Sequence, residues 1–259
     1  MSKEETLKIK SNIKIADQIY AMKLESFFIS QEAKPGQFVH LLCKKDYGAF
    51  LRRPFSLANI DSKNHELIIV YRVLGKGTQS MAEMKAGEKI SALGPLGHGF
   101  ILEDSYENVA VVAGGLGTAP VLEIVKYYKQ KSRIYLGFLE EPILEEEIKR
   151  YTSLLEVFTE TGSVGKKGLV TKDLLEQFRQ NPPDMVYTCG PKPMMKALAQ
   201  ICDRLEIPCQ VSLEERMGCG IGACLTCSCK TKKKDQKNEY TRVCKEGPVY
   251  WAKEVVWDE

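Results

Sequence analysis

The chain has 259 residues, of which 44% are hydrophobic and 27% charged, an ordinary globular composition that excludes wholesale disorder and allows one large or two to three small domains. The 37 basic and 34 acidic residues give a net charge of only +3, so the balance shows no basic footprint for nucleic acid. The charged first twelve residues do not look like a signal peptide, and the longest charge-free stretch, residues 108–122, is too short to cross a membrane, so we expect a cytoplasmic protein without membrane contact.

The first hundred residues contain short alternating or apolar runs that are separated by turn signals. Pro35-Gly36 and Gly87 are examples of these signals. Short strands at this spacing predict a small antiparallel β-barrel. The predicted strands cover 38–43, 56–60, 66–74 and 89–93, and one helix is predicted over 78–85.

The pattern changes after Phe100, where apolar strands begin to alternate with helices. This alternation predicts a doubly wound parallel sheet. The predicted strands are 109–113, 134–139, 155–158, 185–188 and a closing strand at 210–213, with helices over 119–129, 171–180 and 193–205. The remaining segment is cysteine-dense and too small to form a core without a bound metal centre. We therefore expect domains at 1–102, 103–210 and 211–259.

Five of the nine cysteines lie in the last 41 residues. Four of them have the spacing C-x4-C-x2-C-x16-C, which begins like the plant-type [2Fe–2S] ligand pattern; they are Cys219, Cys224, Cys227 and Cys244. Small residues around them leave room for backbone N–H groups to approach a cluster. A structural zinc site would show matched C-x2–4-C pairs, and only one such pair is present, so a zinc-stabilised interaction module is a distant alternative. Cys229 falls outside the spacing, and its role stays open.

Two groups of residues in the barrel region indicate a flavin. The first group is Arg53, Pro54, Phe55 and Ser56, and the second is Val70, Tyr71 and Arg72, followed by Gly77 and Thr78. Arginine can bind a phosphate bidentately, and a glycine-rich turn into a helix suits an anion. In this order the groups resemble the flavin-binding R-x-Y/F-[ST] and G-x-[ST] motifs of the ferredoxin-reductase family, which implies FAD. An ordinary hairpin turn with a charged surface is the alternative.

Two further motifs in the α/β region indicate a nicotinamide dinucleotide. Gly114, Gly115 and Gly117 follow a predicted strand and open a helix, where glycine allows a pyrophosphate to approach. The second motif resembles the C-G-P-x-x-M motif of the same family; its residues are Cys189, Gly190, Pro191 and Met194. Glu140 and Glu141 follow the next strand, where a carboxylate would accept from a ribose hydroxyl and repel a 2′-phosphate. This favours NAD over NADP, unless the two belong to a solvated loop.

Across its whole length the chain resembles the electron-transfer subunits of type B dihydroorotate dehydrogenase. The resemblance is carried by the run 217–230 together with 243–248 and 253–257. It implies an FMN-containing catalytic partner in a two-plus-two heterotetramer, with electrons passing from FMN through the cluster and FAD to NAD⁺ in pyrimidine biosynthesis. We expect no catalytic side chain here, because the cofactors carry the chemistry. Consistent with this, the three histidines match no catalytic pattern.

Other partners stay open at this point. A sulfhydrogenase-type subunit or the small subunit of a ferredoxin:NADP oxidoreductase would have the same modules, although the latter typically has Asp in place of one cluster cysteine. Two departures from the family pattern are Thr118, where a bulkier residue is common, and the insert between Cys227 and Cys244, whose length bears on partner docking. The lysine-rich part of this insert, Lys232–Lys234 with Lys237, is expected to be a solvated hairpin tip, and a partner-docking role is the alternative.

Overall fold

The computed structural model describes residues 2–43, 50–232 and 237–257. These residues form two compact units. The first unit comprises Met1–Phe100, Glu214–Ser228 and Arg242–Pro248, and the second comprises Ile101–Leu213, Cys229–Thr241 and Val249–Glu259. The cysteine-rich segment is therefore divided between the two units.

The first unit is built on a closed six-stranded barrel. Its strands are β1 (Lys3–Ala16), β2 (Ile19–Glu25), β3 (Phe38–Leu42), β4 (Arg53–Asp61), β5 (Glu66–Arg72) and β6 (Lys89–Leu96), and its helices are α1 (Ile29–Glu32) and α2 (Lys76–Glu83). Around the barrel the strands follow the order β1-β2-β5-β4-β3-β6, and all neighbours are antiparallel. The predicted antiparallel barrel is confirmed.

Strands β1 and β2 were not among the predicted elements. Along β1, the buried residues Leu7 and Ile9 alternate with the exposed residues Lys8 and Lys10. This period of two is typical of a half-buried strand. The sequence did not predict β1 because its exposed face is highly charged and only its other face packs into the core.

The second unit is built on a seven-stranded sheet. Its strands are β7 (Val109–Gly114), β8 (Ser132–Phe138), β9 (Leu155–Thr159), β10 (Lys166–Lys167), β11 (Met185–Cys189) and β12 (Cys209–Ser212), and its helices are α3 (Thr118–Tyr128), α4 (Glu145–Lys149), α5 (Leu174–Gln180) and α6 (Lys192–Arg204). Later in the chain come the two strands of a separate ribbon, β13 (Ser228–Lys232) and β14 (Asn238–Arg242). The seventh strand of the sheet, β15 (Val249–Trp251), follows them.

The seven strands follow the order β10-β9-β8-β7-β11-β12-β15, and all pairs except the last are parallel. The predicted parallel sheet is thus confirmed. The expectation that β12 closes it is wrong, because β15 pairs antiparallel with β12, with Val211 opposite Tyr250. Three residues are too few to show a hydrophobic period, so the sequence could not predict this edge strand.

Two expectations concern particular segments. Strands β13 and β14 flank the lysine-rich insert, whose central residues 233–236 lie outside the described part of the chain, so the predicted hairpin tip is untested. Among the described residues, no helix is both long and apolar enough to span a membrane.

Candidate functional site

The predicted flavin motif begins at Arg53, where β4 begins, and Arg53 has different surroundings from the preceding Arg52. The guanidinium of Arg52 donates to a carboxylate oxygen of Glu4 at 2.7 Å and to the hydroxyl of Ser91 at 2.8 Å. Arg53 donates from Nη1 to the carbonyl of Leu51 at 2.6 Å. Because a guanidinium has five N–H donors, Arg53 keeps further donors for a phosphate. Arg52 instead ties β1 and β6 together.

Two predicted flavin residues have side chains that already serve the barrel. Tyr71 is buried, and its hydroxyl donates to Oδ1 of Asn12 at 2.9 Å. Burial raises the pKa of Tyr71 to about 12, so it remains a protonated donor. The hydroxyl of Thr78 accepts from the backbone N–H groups of Leu74 and Gly75 at 2.9 and 3.2 Å, which caps α2. Both hydroxyls thus have hydrogen-bond partners within the first unit.

The other predicted flavin residues lie on β4, on β5 and in the first turn of α2. Pro54, Phe55 and Ser56 lie opposite β3 on β4 and are partly buried. Phe55 packs edge-on against Tyr71, with ring centroids 5.9 Å apart. On β5, Val70 is buried and Arg72 is exposed, and Gly77 is buried in the first turn of α2.

Substituting the two arginines separates a phosphate ligand from a structural one. We expect Arg53→Gln to weaken FAD retention roughly tenfold to a hundredfold, because a charge-assisted hydrogen bond contributes about 1.5–3 kcal/mol. We expect Arg52→Gln to keep its flavin and instead lower the free energy of unfolding by about 1–3 kcal/mol. The flavin-to-protein ratio after dialysis and a melting curve measure the two effects. Equal flavin loss in both variants would remove Arg53 from the phosphate role.

The two dinucleotide motifs meet at one edge of the parallel sheet. Strand β7 ends at Gly114 and β11 ends at Cys189, and these strands are direct neighbours, with Ala113 opposite Cys189. A Cβ on Gly117 would lie 2.3 Å from the carbonyl oxygen of Cys189. The carboxyl ends of strands in open α/β sheets are where ligands bind. The motifs, though distant in sequence, thus form one backbone-lined corner.

Glycines allow the close packing at this corner. A Cβ on Gly114 would lie 2.7 Å from Cδ of Pro191 and 2.9 Å from Sδ of Met194. Gly190 has φ +156°, and a Cβ there would lie 2.8 Å from the backbone nitrogen of Gly114. Gly114, Gly117 and Gly190 therefore let the two motifs approach more closely than residues with a side chain would allow.

Two observations at this corner fit a bound dinucleotide. Gly115 has φ +54°, and no atom outside its immediate neighbours lies within 4 Å of the position that its Cβ would take. Thr118, at the start of α3, is fully buried, and its hydroxyl has no hydrogen-bond partner among the described residues. An open glycine turn and an unpaired hydroxyl at a helix N-terminus suit a phosphate. Glu140 and Glu141 lie exposed after β8.

The four predicted cluster cysteines all belong to the first unit and form two pairs. The backbone N–H of Cys219 donates to Sγ of Cys224, and that of Cys224 to Sγ of Cys219, each at 3.4 Å. The N–H of Cys244 donates to Sγ of Cys227, also at 3.4 Å. No three His, Cys, Asp or Glu side chains in the described ranges are spaced to hold a single metal ion. Each pair could supply the two protein thiolates of one iron in a [2Fe–2S] cluster.

Backbone donors surround these sulfurs. Gly222 donates to Sγ of Cys244 at 3.1 Å, and Ala223 donates to Sγ of Cys219 at 3.3 Å. Gly222 has φ +84°, a left-handed conformation that favours glycine. Hydrogen bonds to the sulfurs stabilise thiolates and help to set the potential of a cluster.

Cys224 and Cys244 have pKa values that are shifted in opposite directions. Hydrogen bonds from Thr226 lower the pKa of the exposed Cys224 to about 6, which favours its thiolate. Burial, followed by the interaction with Cys227, raises the pKa of Cys244 to about 12. Because a metal ligand must be deprotonated, binding iron at Cys244 would release a proton.

One residue beside the loop of residues 219–227, called the cluster loop below, was not predicted from the sequence. A Cβ on Gly220, which has φ +73°, would lie 2.4 Å from Nδ1 of His40 on β3. His40 is fully buried, and burial lowers its pKa to about 4, so its ring is neutral. In the barrel His40 lies opposite Pro54 of the flavin motif. No pattern in the sequence could link two residues so far apart.

Comparisons with known proteins agree with this geometry. Residues 214–256 match the iron-sulfur cluster binding domain of dihydroorotate dehydrogenase B, and residues 111–200 match an oxidoreductase NAD-binding domain. The chain is 43% identical over 252 residues to the electron transfer subunit of dihydroorotate dehydrogenase B (NAD(+)) from Caldanaerobacter subterraneus, covering 96% of this chain and 97% of the relative. The corresponding subunit of Fusobacterium nucleatum is 40% identical, with 98% of each covered.

A solved structure is similar over nearly the same span. It is an NADH-dependent reduced ferredoxin-NADP oxidoreductase, described in a study of flavin-based electron bifurcation, and it is 30% identical with a TM-score of 0.84. The match covers 97% of this chain and 90% of that one. The ferredoxin-reductase-like fold predicted from the sequence is thereby confirmed.

The cofactors expected from the sequence agree with these matches. The cluster-binding and NAD-binding domains confirm an iron–sulfur cluster and NAD, and the ferredoxin-reductase-type barrel supports FAD. The relatives share more than 35% identity over essentially their whole length. The chain therefore belongs to the family of electron transfer subunits of NAD-dependent dihydroorotate dehydrogenase B.

Proposed function

We propose that this chain passes electrons from the FMN of a dihydroorotate-oxidising catalytic subunit, through its [2Fe–2S] cluster and FAD, to NAD⁺ in pyrimidine biosynthesis. The observation that carries the proposal is that the four cysteines lie in the same compact unit as the flavin barrel. Gly220 lies next to His40 on β3 of that barrel, which supports the proposal. This packing would suit electron transfer between a cluster held by the cysteines and a flavin held by the barrel.

The proposed roles of the residues are to bind and to orient. Bound FAD supplies the exchange between two-electron and one-electron transfer. Arg53 and Ser56 hold the flavin, the corner of Gly114 and Gly190 holds NAD, and the two cysteine pairs hold the irons. No side chain has to move a proton in this scheme. We assign FAD binding to 1–102, NAD binding to 103–210 and cluster binding to 211–259.

The cluster loop also offers a place for the partner to dock. Cys224 is exposed, and the apolar side chains of Ile221 and Leu225 beside it are 55% and 62% exposed. Exposed apolar side chains around a functional group are typical of protein interfaces. We propose that the catalytic subunit covers the surface formed by Ile221, Cys224 and Leu225, called the rim below. The complex would be cytoplasmic and contain two catalytic and two electron-transfer subunits.

A charge on the rim is expected to weaken the complex. Leu225→Asp would bury a carboxylate without a partner, so we expect affinity for the catalytic subunit to fall at least about tenfold. Leu169→Asp is the matched control, because Leu169 is 61% exposed in a loop of the other unit. Titration calorimetry with the FMN-containing subunit measures both variants. Unchanged affinity for Leu225→Asp would place the interface elsewhere.

The proposed function is tested by spectroscopy and by coupled turnover. An anaerobic visible spectrum should show flavin bands and broad cluster absorption, both bleached by NADH, with iron and sulfide present by assay. Adding the catalytic subunit, dihydroorotate and NAD⁺ should then yield orotate and NADH in equal amounts. If NADH bleaches the chain but no orotate-linked reduction follows, the chain serves another electron-transfer partner, such as the type suggested by the ferredoxin-NADP oxidoreductase match.

A further inference from the structure

We propose that Arg242 and Glu246 form an ion pair that holds the two cysteine-bearing segments together, and that their opposite charges tune the reduction potential of the cluster. The inference rests on the proposed [2Fe–2S] site and deepens it. Both residues and all four cysteines belong to the first unit. Neither residue is part of the cysteine spacing that predicted the site.

The first argument is the hydrogen bonding of Gly222. Nη1 of Arg242 donates to the carbonyl oxygen of Gly222 at 2.7 Å. The N–H of Gly222 in turn donates to Sγ of Cys244 at 3.1 Å. Arg242 therefore fixes the glycine whose N–H contacts a cluster sulfur. In this way it connects the loop of Cys219 and Cys224 to the segment of Cys244.

The second argument is the turn that carries Cys244. The carbonyl of Arg242 accepts from the N–H groups of Lys245 at 3.0 Å and Glu246 at 2.9 Å. One carboxylate oxygen of Glu246 accepts from the backbone N–H of Arg242 at 2.8 Å and from its Nε at 3.0 Å, and the other accepts from Nη2. This two-pronged pair closes the turn around Cys244. A bidentate arginine–carboxylate pair constrains geometry better than a single contact.

The third argument is charge. The guanidinium of Arg242 is always positive, and it pairs with the carboxylate of Glu246 in the turn that carries Cys244. Reduction adds one electron to a cluster held by these sulfurs. A nearby positive charge stabilises the reduced form, and a nearby negative charge destabilises it. Both side chains are partly exposed, at 28% and 34%, so solvent screens these effects in part.

The two charges predict shifts of opposite sign. Arg242→Gln removes the positive charge, so we expect a lower potential; Glu246→Gln leaves the guanidinium uncompensated, so we expect a higher one. Each change should alter the ratio of reduced to oxidised cluster at fixed potential about tenfold, which is about 59 mV for one electron. Both variants open the turn, so both should lose iron to a chelator faster than the unmodified chain. If the Arg242–Glu246 pair only held the turn in place, the two substitutions would not shift the potential of the cluster in opposite directions.

The experiment is an EPR-monitored redox titration of the purified full-length chain, with iron release to a chelator followed by absorbance. Arg179→Gln is the control, since it removes the same charge from an exposed pair with Glu176 on α5, and we expect no change. Arg242→Lys covers the case in which the glutamine variants do not incorporate the cluster. This variant keeps the positive charge but loses the bidentate contact with Glu246. We expect its cluster potential to stay near that of the unmodified chain and its iron release to be faster.

The outcomes separate this inference from the proposed function. Shifts of the same sign in Arg242→Gln and Glu246→Gln, or no shift in either, overturn the electrostatic role. Unchanged iron release in all three variants overturns the positioning role. If the unmodified chain contains zinc instead of iron, the cluster assignment itself fails. Iron present with unmoved potentials leaves the proposed function standing and removes only the role of this pair.

Discussion

Replacing Cys224 with serine is expected to remove most of the cluster while NADH still reduces the flavin. Cys224 is exposed, so its side chain adds little to the core, and its thiol has a pKa of about 6, which provides a thiolate for iron. A serine hydroxyl stays protonated and is a poor match for this soft-ligand site. We expect iron and acid-labile sulfide to fall at least about tenfold, as measured by colorimetric assay. Bleaching of the flavin band by NADH reports the retained activity.

Cys229→Ser is the matched control for this experiment. Cys229 follows Cys227 by two positions, but its Sγ lies 3.5 Å from the hydroxyl of Thr241 in the β13–β14 ribbon. We therefore expect Cys229→Ser to keep its iron. Full iron content in Cys224→Ser, or iron loss in Cys229→Ser alone, would show that the ligand set is wrong. Stoichiometric zinc in the unmodified chain would favour the interaction module instead.

Replacing Gly117 with alanine is expected to impair NADH binding and to destabilise the second unit. The new Cβ would lie 2.3 Å from the carbonyl oxygen and 2.5 Å from the carbonyl carbon of Cys189. Because backbone atoms cannot yield as a flexible side chain can, the two turns must separate. We expect a loss of about 1–3 kcal/mol in unfolding free energy. We also expect at least a tenfold rise in KM for NADH with an artificial electron acceptor.

Ile124→Val controls for destabilisation alone. Ile124 is fully buried on α3, the helix that follows the glycine turn, and the change should cost about 0.5–1.5 kcal/mol. We expect it to leave the KM for NADH unchanged. An unaltered melting temperature and KM in Gly117→Ala would show that the corner tolerates a side chain. Flavin and iron content should remain normal in both variants, because their proposed sites lie in the first unit.

Elements with a local signal could be predicted from the sequence. The apolar run predicted at 109–113 is β7, Val109–Gly114, and the run at 185–188 is β11, Met185–Cys189. The strand predictions succeed because hydrophobic periodicity is visible within a few residues. The cysteine spacing likewise singled out four thiols, which lie in two pairs, and their role as cluster ligands stays a prediction. The family resemblance rested on motifs of this local kind.

Contacts between distant residues became visible only in the three-dimensional structure. Three contacts join segments that share no sequence pattern: His40 with Gly220, Gly117 with Cys189, and Arg242 with Gly222. The structure also showed that the hydroxyl groups of Tyr71 and Thr78 form hydrogen bonds within the first unit. Spacing along the chain limits which side chains can reach one centre. The approach of one backbone to another depends on strand pairing and loop packing, which no local pattern encodes.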